Sequence, residues 1–190
     1  LIVQEWVPGP DSNIYYCLAY ITPNGKVLSH FCGRKIHQIP ILVGSTASAE
    51  VANEPEVEKE ALRILTQCGN YGFCSVEFKK HDRTGEFYVI EPTVGRINAQ
   101  EYTATLGGVN IVLDAYLHLT NDSRVIEATA TPHFYYIDEL SELRACFDYH
   151  ALGKLRWRTY FAKLGKKNVR FMYLNFRDPI VSVLVLAAIA

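Results

Sequence analysis

Glu77 and Glu91 stand on two stretches that read as the arms of one hairpin. Residues 73–80 run out, Asp82-Arg83-Thr84-Gly85 turns, and residues 86–92 run back. Side chains alternate along a strand, so Cys74, Val76 and Phe78 share an apolar face while Ser75, Glu77 and Lys79 share the other. On the return arm, Tyr88 and Ile90 read as apolar-facing, and Val89, Glu91 and Thr93 as polar-facing. A loop over residues 82–86 pairs His81 with Phe87, and counting back sets Glu77 opposite Glu91 and Ser75 opposite Thr93. Directly opposed Cβ atoms lie about 5 Å apart, and at an effective dielectric near 20 two carboxylates there repel by roughly 3 kcal/mol. A cation between them removes that cost. Mg²⁺ takes one or two carboxylates, keeps some waters and accepts substrate phosphates for the rest, so facing glutamates suit it. The plain alternative pairs one glutamate with Lys79 or Arg96 and leaves the other solvated.

The run Tyr71-Gly72-Phe73-Cys74-Ser75-Val76-Glu77-Phe78-Lys79, then Asp82 and Gly85, then Tyr88-Val89-Ile90-Glu91-Pro92-Thr93-Val94-Gly95-Arg96, resembles the metal-binding hairpin of the ATP-grasp superfamily. The resemblance implies that Glu77 and Glu91 ligate Mg²⁺. Thr93 stands where the family usually has Asn; its hydroxyl can still meet a metal or a metal-bound water. Arg96 resembles the family's arginine beyond the metal site, implying a bidentate hold on phosphate or an acyl phosphate. The alternative for Arg96 is a salt bridge to Glu91.

A second match opens the chain. Gln4-Glu5-Trp6-Val7-Pro8-Gly9-Pro10-Asp11 resembles the hinge strand of ATP-grasp ligases, particularly of the D-alanine–D-alanine ligase type. The resemblance implies adenine recognition by the backbone at Gln4 and Glu5, ring packing by Val7 and ribose binding by Asp11. Read alone, the octapeptide is a strand ending in a Pro-Gly turn. Arg34-Lys35 falls where the superfamily often has basic residues reaching the triphosphate, and Lys35 is the candidate; the plain reading is a solvated strand edge. Lys163, Lys166 and Lys167 read as solvated. The six histidines show no metal-ligand spacing, and His37, His81 and His118 read as surface or core polar residues.

The elements that must position these residues are mostly β at first. Residues 1–7, 14–21 and 26–36 read as three antiparallel strands, with Pro23-Asn24-Gly25 as a hairpin turn. Pro55 opens a helix whose Val57, Ala61, Ile64, Leu65 and Cys68 fall on one face, and Gly69 stops it. After the Glu77–Glu91 hairpin, a short helix is expected over 99–106. Another is expected over 109–119, with Val109, Val112, Leu113 and Tyr116 on one face. A strand near 133–137, a helix from Asp138, a helix around Trp157 and Leu164, and a strand over 169–176 follow. Asp178-Pro179 reads as the N-cap and first turn of a terminal helix, buried or cut short. The class is α+β: an ATP-grasp C-terminal lobe, mostly antiparallel sheet flanked by helices. Residues 1–120 are expected to hold the adenine hinge and Mg²⁺ site, and 121–190 to pack on them as an extension.

The 190 residues carry a net charge of −1, which offers no reason to expect a nucleic-acid or acidic-membrane partner. Five widely spread cysteines without a C-x-x-C pair read as reduced thiols in a reducing, cytoplasmic setting. The apolar end is about half of the roughly 20 residues a membrane helix needs, and the chain begins without Met or a basic leader. The resemblance implies an ATP-dependent carboxylate–amine ligase that binds ATP and Mg²⁺, with a carboxylate and an amine as substrates. It implies too that the substrate-binding domain and the glycine-rich flap lie in an upstream half. Two rivals remain: a nucleotide-binding module without turnover, and a structural α+β domain.

Overall fold

The computed structural model describes residues 3–97, 100–124, 133–165, 168–174 and 179–189. Asp178, Lys166, Lys167 and Ala99, which entered the sequence reading, lie outside them. The strands are β1 (Ile14–Ile21), β2 (Val27–Ile39), β3 (Ser45–Val51), β4 (Gly72–Lys80), β5 (Phe87–Val94), β6 (Tyr135–Ile137) and β7 (Val169–Phe171). The helices are α1 (Pro55–Gln67), α2 (Glu101–Leu106), α3 (Ile111–Leu119), α4 (Glu139–Ala151), α5 (Trp157–Leu164) and α6 (Pro179–Ile189). They form an α+β fold around one sheet of order β5-β4-β1-β2-β3-β6-β7. Every pair is antiparallel except β6–β7.

β1 lies inside the sheet and is buried along its whole length, because both of its faces are covered. Tyr15, Cys17, Ala19 and Ile21 join Cys74, Val76 and Phe78 of β4 beneath Val57, Ala61 and Leu65 of α1. Tyr16, Leu18 and Tyr20 point the other way and meet Ala104 of α2 and Ile111 and Ala115 of α3. α1 begins with Pro in its first turn and two acidic residues, Glu56 and Glu58, that favour the helix N-terminus. Gly69, at φ 67, ends it. Asn110 and Asp138 cap α3 and α4 by accepting from the Leu113 and Ser141 amides.

Several expectations are corrected. Residues 3–7 are irregular, not a strand: no β-partner for them is present among the described residues. The antiparallel meander is β1-β2-β3 instead, and β3 lay unforeseen. α3 buries Ile111, Ala115 and Leu117, while Val112 and Tyr116 are exposed. Of the two alternatives for α6, buried or cut short, the first fails at Ile180, Val183 and Leu184, which are all exposed. Cys17 and Cys32 are not reduced thiols. They face each other directly across β1 and β2 with Cα atoms 4.2 Å apart and form a disulfide. Among the described residues, no helix is long and apolar enough to cross a membrane.

Candidate functional site

β4 and β5 pair with Glu77 directly opposite Glu91 and Ser75 opposite Thr93. The route to that register differs from the sequence count. At the turn Lys80, not His81, opposes Phe87, and a bulge between Glu77 and Phe78 leaves Ile90 without a partner. The bulge shifts the faces: Tyr88 pairs with Lys79, and Val89 pairs with Phe78 on the α1 side. Tyr88 and Val89 therefore exchange the faces expected of them. Both are exposed.

Glu77 also opposes Tyr16 on β1, and Tyr16 opposes Gly33 on β2. Paired residues share a face, so Glu77 lies on the α2/α3 side of the sheet. Lys35, paired with Ala49 of that same core, lies there too. The Lys35 Nζ donates to Glu77 Oε2 at 2.9 Å, with both side chains largely buried. Gln100, just before α2, donates from Nε2 to Glu77 Oε1 at 2.9 Å and to Thr46 Oγ1 at 3.2 Å. Lys79 takes no part; its Nζ donates to the Pro10 carbonyl at 2.8 Å, and burial holds its ammonium below the ordinary lysine value.

A cavity of about 690 Å³ opens on this face, lined by Gln4, Lys35, Glu77, Glu91, Arg96 and Gln100 among others. Glu91 is exposed, with Thr93 Oγ1 donating to its Oε1 at 3.5 Å. Arg96 is exposed and makes no ion pair among the described residues. Gln4 reaches the Ile90 carbonyl at 3.4 Å. The other hinge candidates stand apart. Glu5 is exposed and Val7 half-buried, and neither lines this cavity. Asp11 is buried, its Oδ2 accepting from the Leu42 amide at 2.9 Å and from the Tyr149 hydroxyl. It borders a different cavity. Gln100 and the buried Gln38 belong to the first cavity but carried no signal in the sequence, since neither sits in a motif or a periodic face.

No family model matches this chain, and none of the curated proteins matches it. Solved structures do. A biotin carboxylase from Campylobacter jejuni, in a complex described as biotin carboxylase–beta-gamma-ATP, superposes with a TM-score of 0.53 at 13% identity, over 70% of this chain and 30% of that one. The fold is ATP-grasp. Two further neighbours reach only 0.48 and carry no argument of their own: the phosphoribosylaminoimidazole carboxylase ATPase subunit of Aquifex aeolicus (16% identity, 65% of this chain, 38% of that one) and the biotin carboxylase domain of the Hydrogenobacter thermophilus 2-oxoglutarate carboxylase, in complex with MgADP, ADP and bicarbonate (17%, 64% and 28%). The chain thus spans about a third of the length of these structures. At such identities the likeness establishes the fold, and the chemistry rests on the residues.

Proposed function

We propose that this chain is the ATP-binding lobe of an ATP-dependent carboxylate–amine ligase that works with an upstream half supplying substrate selection. The observation that carries the proposal is the register of the hairpin: Glu77 opposite Glu91 at the mouth of a cavity that also holds Lys35 and Arg96.

The donor set suits Mg²⁺. Each carboxylate oxygen of Glu77 accepts one hydrogen bond, from Lys35 or Gln100, and keeps a second lone pair. Glu91 lies open beside it, so hard oxygen donors converge without a soft ligand among them. When bound, Mg·ATP supplies the phosphoryl group that activates a carboxylate for attack by an amine. The chain's own residues bind and orient. Lys35 holds Glu77 in place and presents a positive charge at the cavity wall. Arg96, exposed and without an ion pair among the described residues, receives phosphate oxygens and stabilises charge that develops there. None of these groups acts as a nucleophile; their contribution is positioning and electrostatics. Gln4, beside Ile90, remains the hinge candidate nearest to this cavity.

One feature favours a second reading. Thr93 replaces the expected Asn, and a weaker metal position would leave a module that binds Mg·ATP without turning it over. The test measures ADP release by the full-length protein carrying this chain, given Mg·ATP with pooled carboxylates and amines, beside its Glu91→Gln variant. ADP that requires both substrates and falls by orders of magnitude in the variant supports the ligase. Mg²⁺-dependent binding without ADP supports the module, and no nucleotide binding rejects both.

A further inference from the structure

The opposite face of the sheet holds a second cluster that the ATP-site reading does not use. Tyr135 of β6 pairs with Glu50 of β3, Glu50 with Arg34 of β2, and Arg34 with Tyr15 of β1, whose ring lies in the α1-side core. Tyr135 therefore lies on the α1 side, where its hydroxyl reaches Glu142 of α4 at 3.5 Å. Glu142 and Cys146 are one helical turn apart, so both side chains project from the same face of α4. His37, from the far end of β2, meets them there. A ring nitrogen of His37, a carboxylate oxygen of Glu142 and Cys146 Sγ all lie within 4.8 Å of one another.

We propose that His37, Glu142 and Cys146 form a three-ligand Zn²⁺ site. Imidazole nitrogen, carboxylate oxygen and thiolate are the donors Zn²⁺ takes, at about 2.0–2.3 Å. The soft thiolate and the borderline imidazole beside the one carboxylate favour it over Mg²⁺ or Ca²⁺, which take oxygen donors. Adjustments of about an ångström in the side chains bring the three to bonding distance. The state of Glu142 points the same way. Its side chain is 3% exposed, and no lysine or arginine bonds it among the described residues. Oε1 accepts from His37 Nδ1 and from the Tyr160 hydroxyl, each at 2.9 Å, yet no hydrogen bond reaches the buried Oε2 among the described residues. A buried carboxylate oxygen without a donor is costly, and a cation removes the cost. The rings of Tyr149 and Tyr160 flank His37, with centroids 4.7 and 6.2 Å from its own, and hold the imidazole toward the cluster.

His37, Tyr135 and Tyr160 also line a cavity of about 650 Å³. His37 thus gives the cluster a route to the cavity, while Glu142 and Cys146 lie buried behind it. On binding, the Zn–S bond forms and the Cys146 thiol proton passes to solvent.

The test strips the protein with a chelator and titrates it with Co²⁺, a spectroscopic stand-in for Zn²⁺. The expected result is one equivalent bound with a thiolate-to-cobalt charge-transfer band, lost in Cys146→Ser and retained in Glu91→Gln. Zn²⁺ should displace the Co²⁺ and raise the melting temperature. His37 lies at the cavity surface, so His37→Gln keeps the fold and provides a check that does not depend on Cys146→Ser folding. Losing an outer-shell partner already weakens metal sites by about 10–100-fold, so losing this ligand lowers affinity at least as much. Co²⁺ bound without a thiolate band, a band that survives Cys146→Ser, or unchanged affinity in His37→Gln each overturns the proposal.

Discussion

Lys35 on β2 and Glu77 on β4 are joined by a 2.9 Å ion pair that spans the intervening strand β1, with both side chains withdrawn from solvent. The pair reaches across because Tyr16, the β1 residue opposite Glu77, points its ring over Gly33. Removing one partner strands a buried charge, which costs about 3–5 kcal/mol. Lys35→Met is therefore expected to lose stability on that scale in urea denaturation. The double variant Lys35→Met/Glu77→Leu is expected to regain much of the loss, since an apolar pair leaves no charge uncompensated.

Gly33 is the second element of that arrangement. A Cβ at position 33 collides with the ring and hydroxyl of Tyr16, which is fully buried and has nowhere to move. Gly33→Ala should cost about 1–3 kcal/mol, the usual penalty for overpacking, read as a lower midpoint in thermal or urea unfolding. Gly25→Ala offers a contrast: it meets no neighbour within 4 Å, so any loss there comes from its φ of 81 alone.

Thr93 provides a gain-of-function test. Thr93→Asn replaces a hydroxyl with an amide oxygen beside Glu91, at the position where ATP-grasp hairpins usually carry Asn. Mg²⁺-dependent ATP affinity is expected to rise while unfolding stays within about 0.5 kcal/mol, as for most surface substitutions. Unchanged affinity would mean that the residue at 93 does not touch the metal.

The cysteines give a pH prediction. Burial pushes the Cys74 thiol up to about 11 and the Cys146 thiol up to about 12, while Cys68 is exposed. Alkylation requires thiolate, so at mildly alkaline pH native protein should be labelled at Cys68 alone. Unfolding without reductant should release Cys74 and Cys146 as well, and Cys17 and Cys32 should react only after reduction. The same shifts carry a sign for stability. In the metal-free protein both thiols ionise at lower pH in the unfolded chain than in the folded one. Above the ordinary thiol range the unfolded state holds fewer protons, so stability falls as pH rises from there.

Where the sequence succeeded, the signal was local. β1 matched its expected bounds because an unbroken apolar run between turn residues leaves few alternatives, and α1 did so because Pro55 and Gly69 mark its ends. The Glu77–Glu91 pairing emerged through two departures that cancel: the turn is one residue out of the counted register, and the bulge at Ile90 restores it. Nothing in the composition of residues 86–92 announces a bulge.

β3 was invisible because Ser45–Val51 is built of small and polar residues with weak strand preference; the sheet recruits it through its neighbours β2 and β6. The face of α3 was misread because Ile111, Val112, Leu113, Tyr116 and Leu117 leave almost no polar stripe to orient it. Asp11 sits at the right place in the motif, yet the fold draws its carboxylate inward to the Leu42 amide and Tyr149. The Cys17–Cys32 contact needed the β1–β2 register, which cysteine spacing does not contain. His37 meets Glu142 across more than a hundred residues, so only the folded sheet reveals that cluster.

The central claim is that the Glu77–Glu91 cavity holds Mg·ATP, and calorimetric titration of ATP into this chain tests it most directly. Wild-type protein should bind one ATP when Mg²⁺ is present and lose that binding when it is chelated. Glu91→Gln should abolish the Mg²⁺ dependence while unfolding at the wild-type midpoint, since Glu91 is exposed. ATP binding that ignores both Mg²⁺ and Glu91, or no binding by folded wild-type protein, would contradict the account.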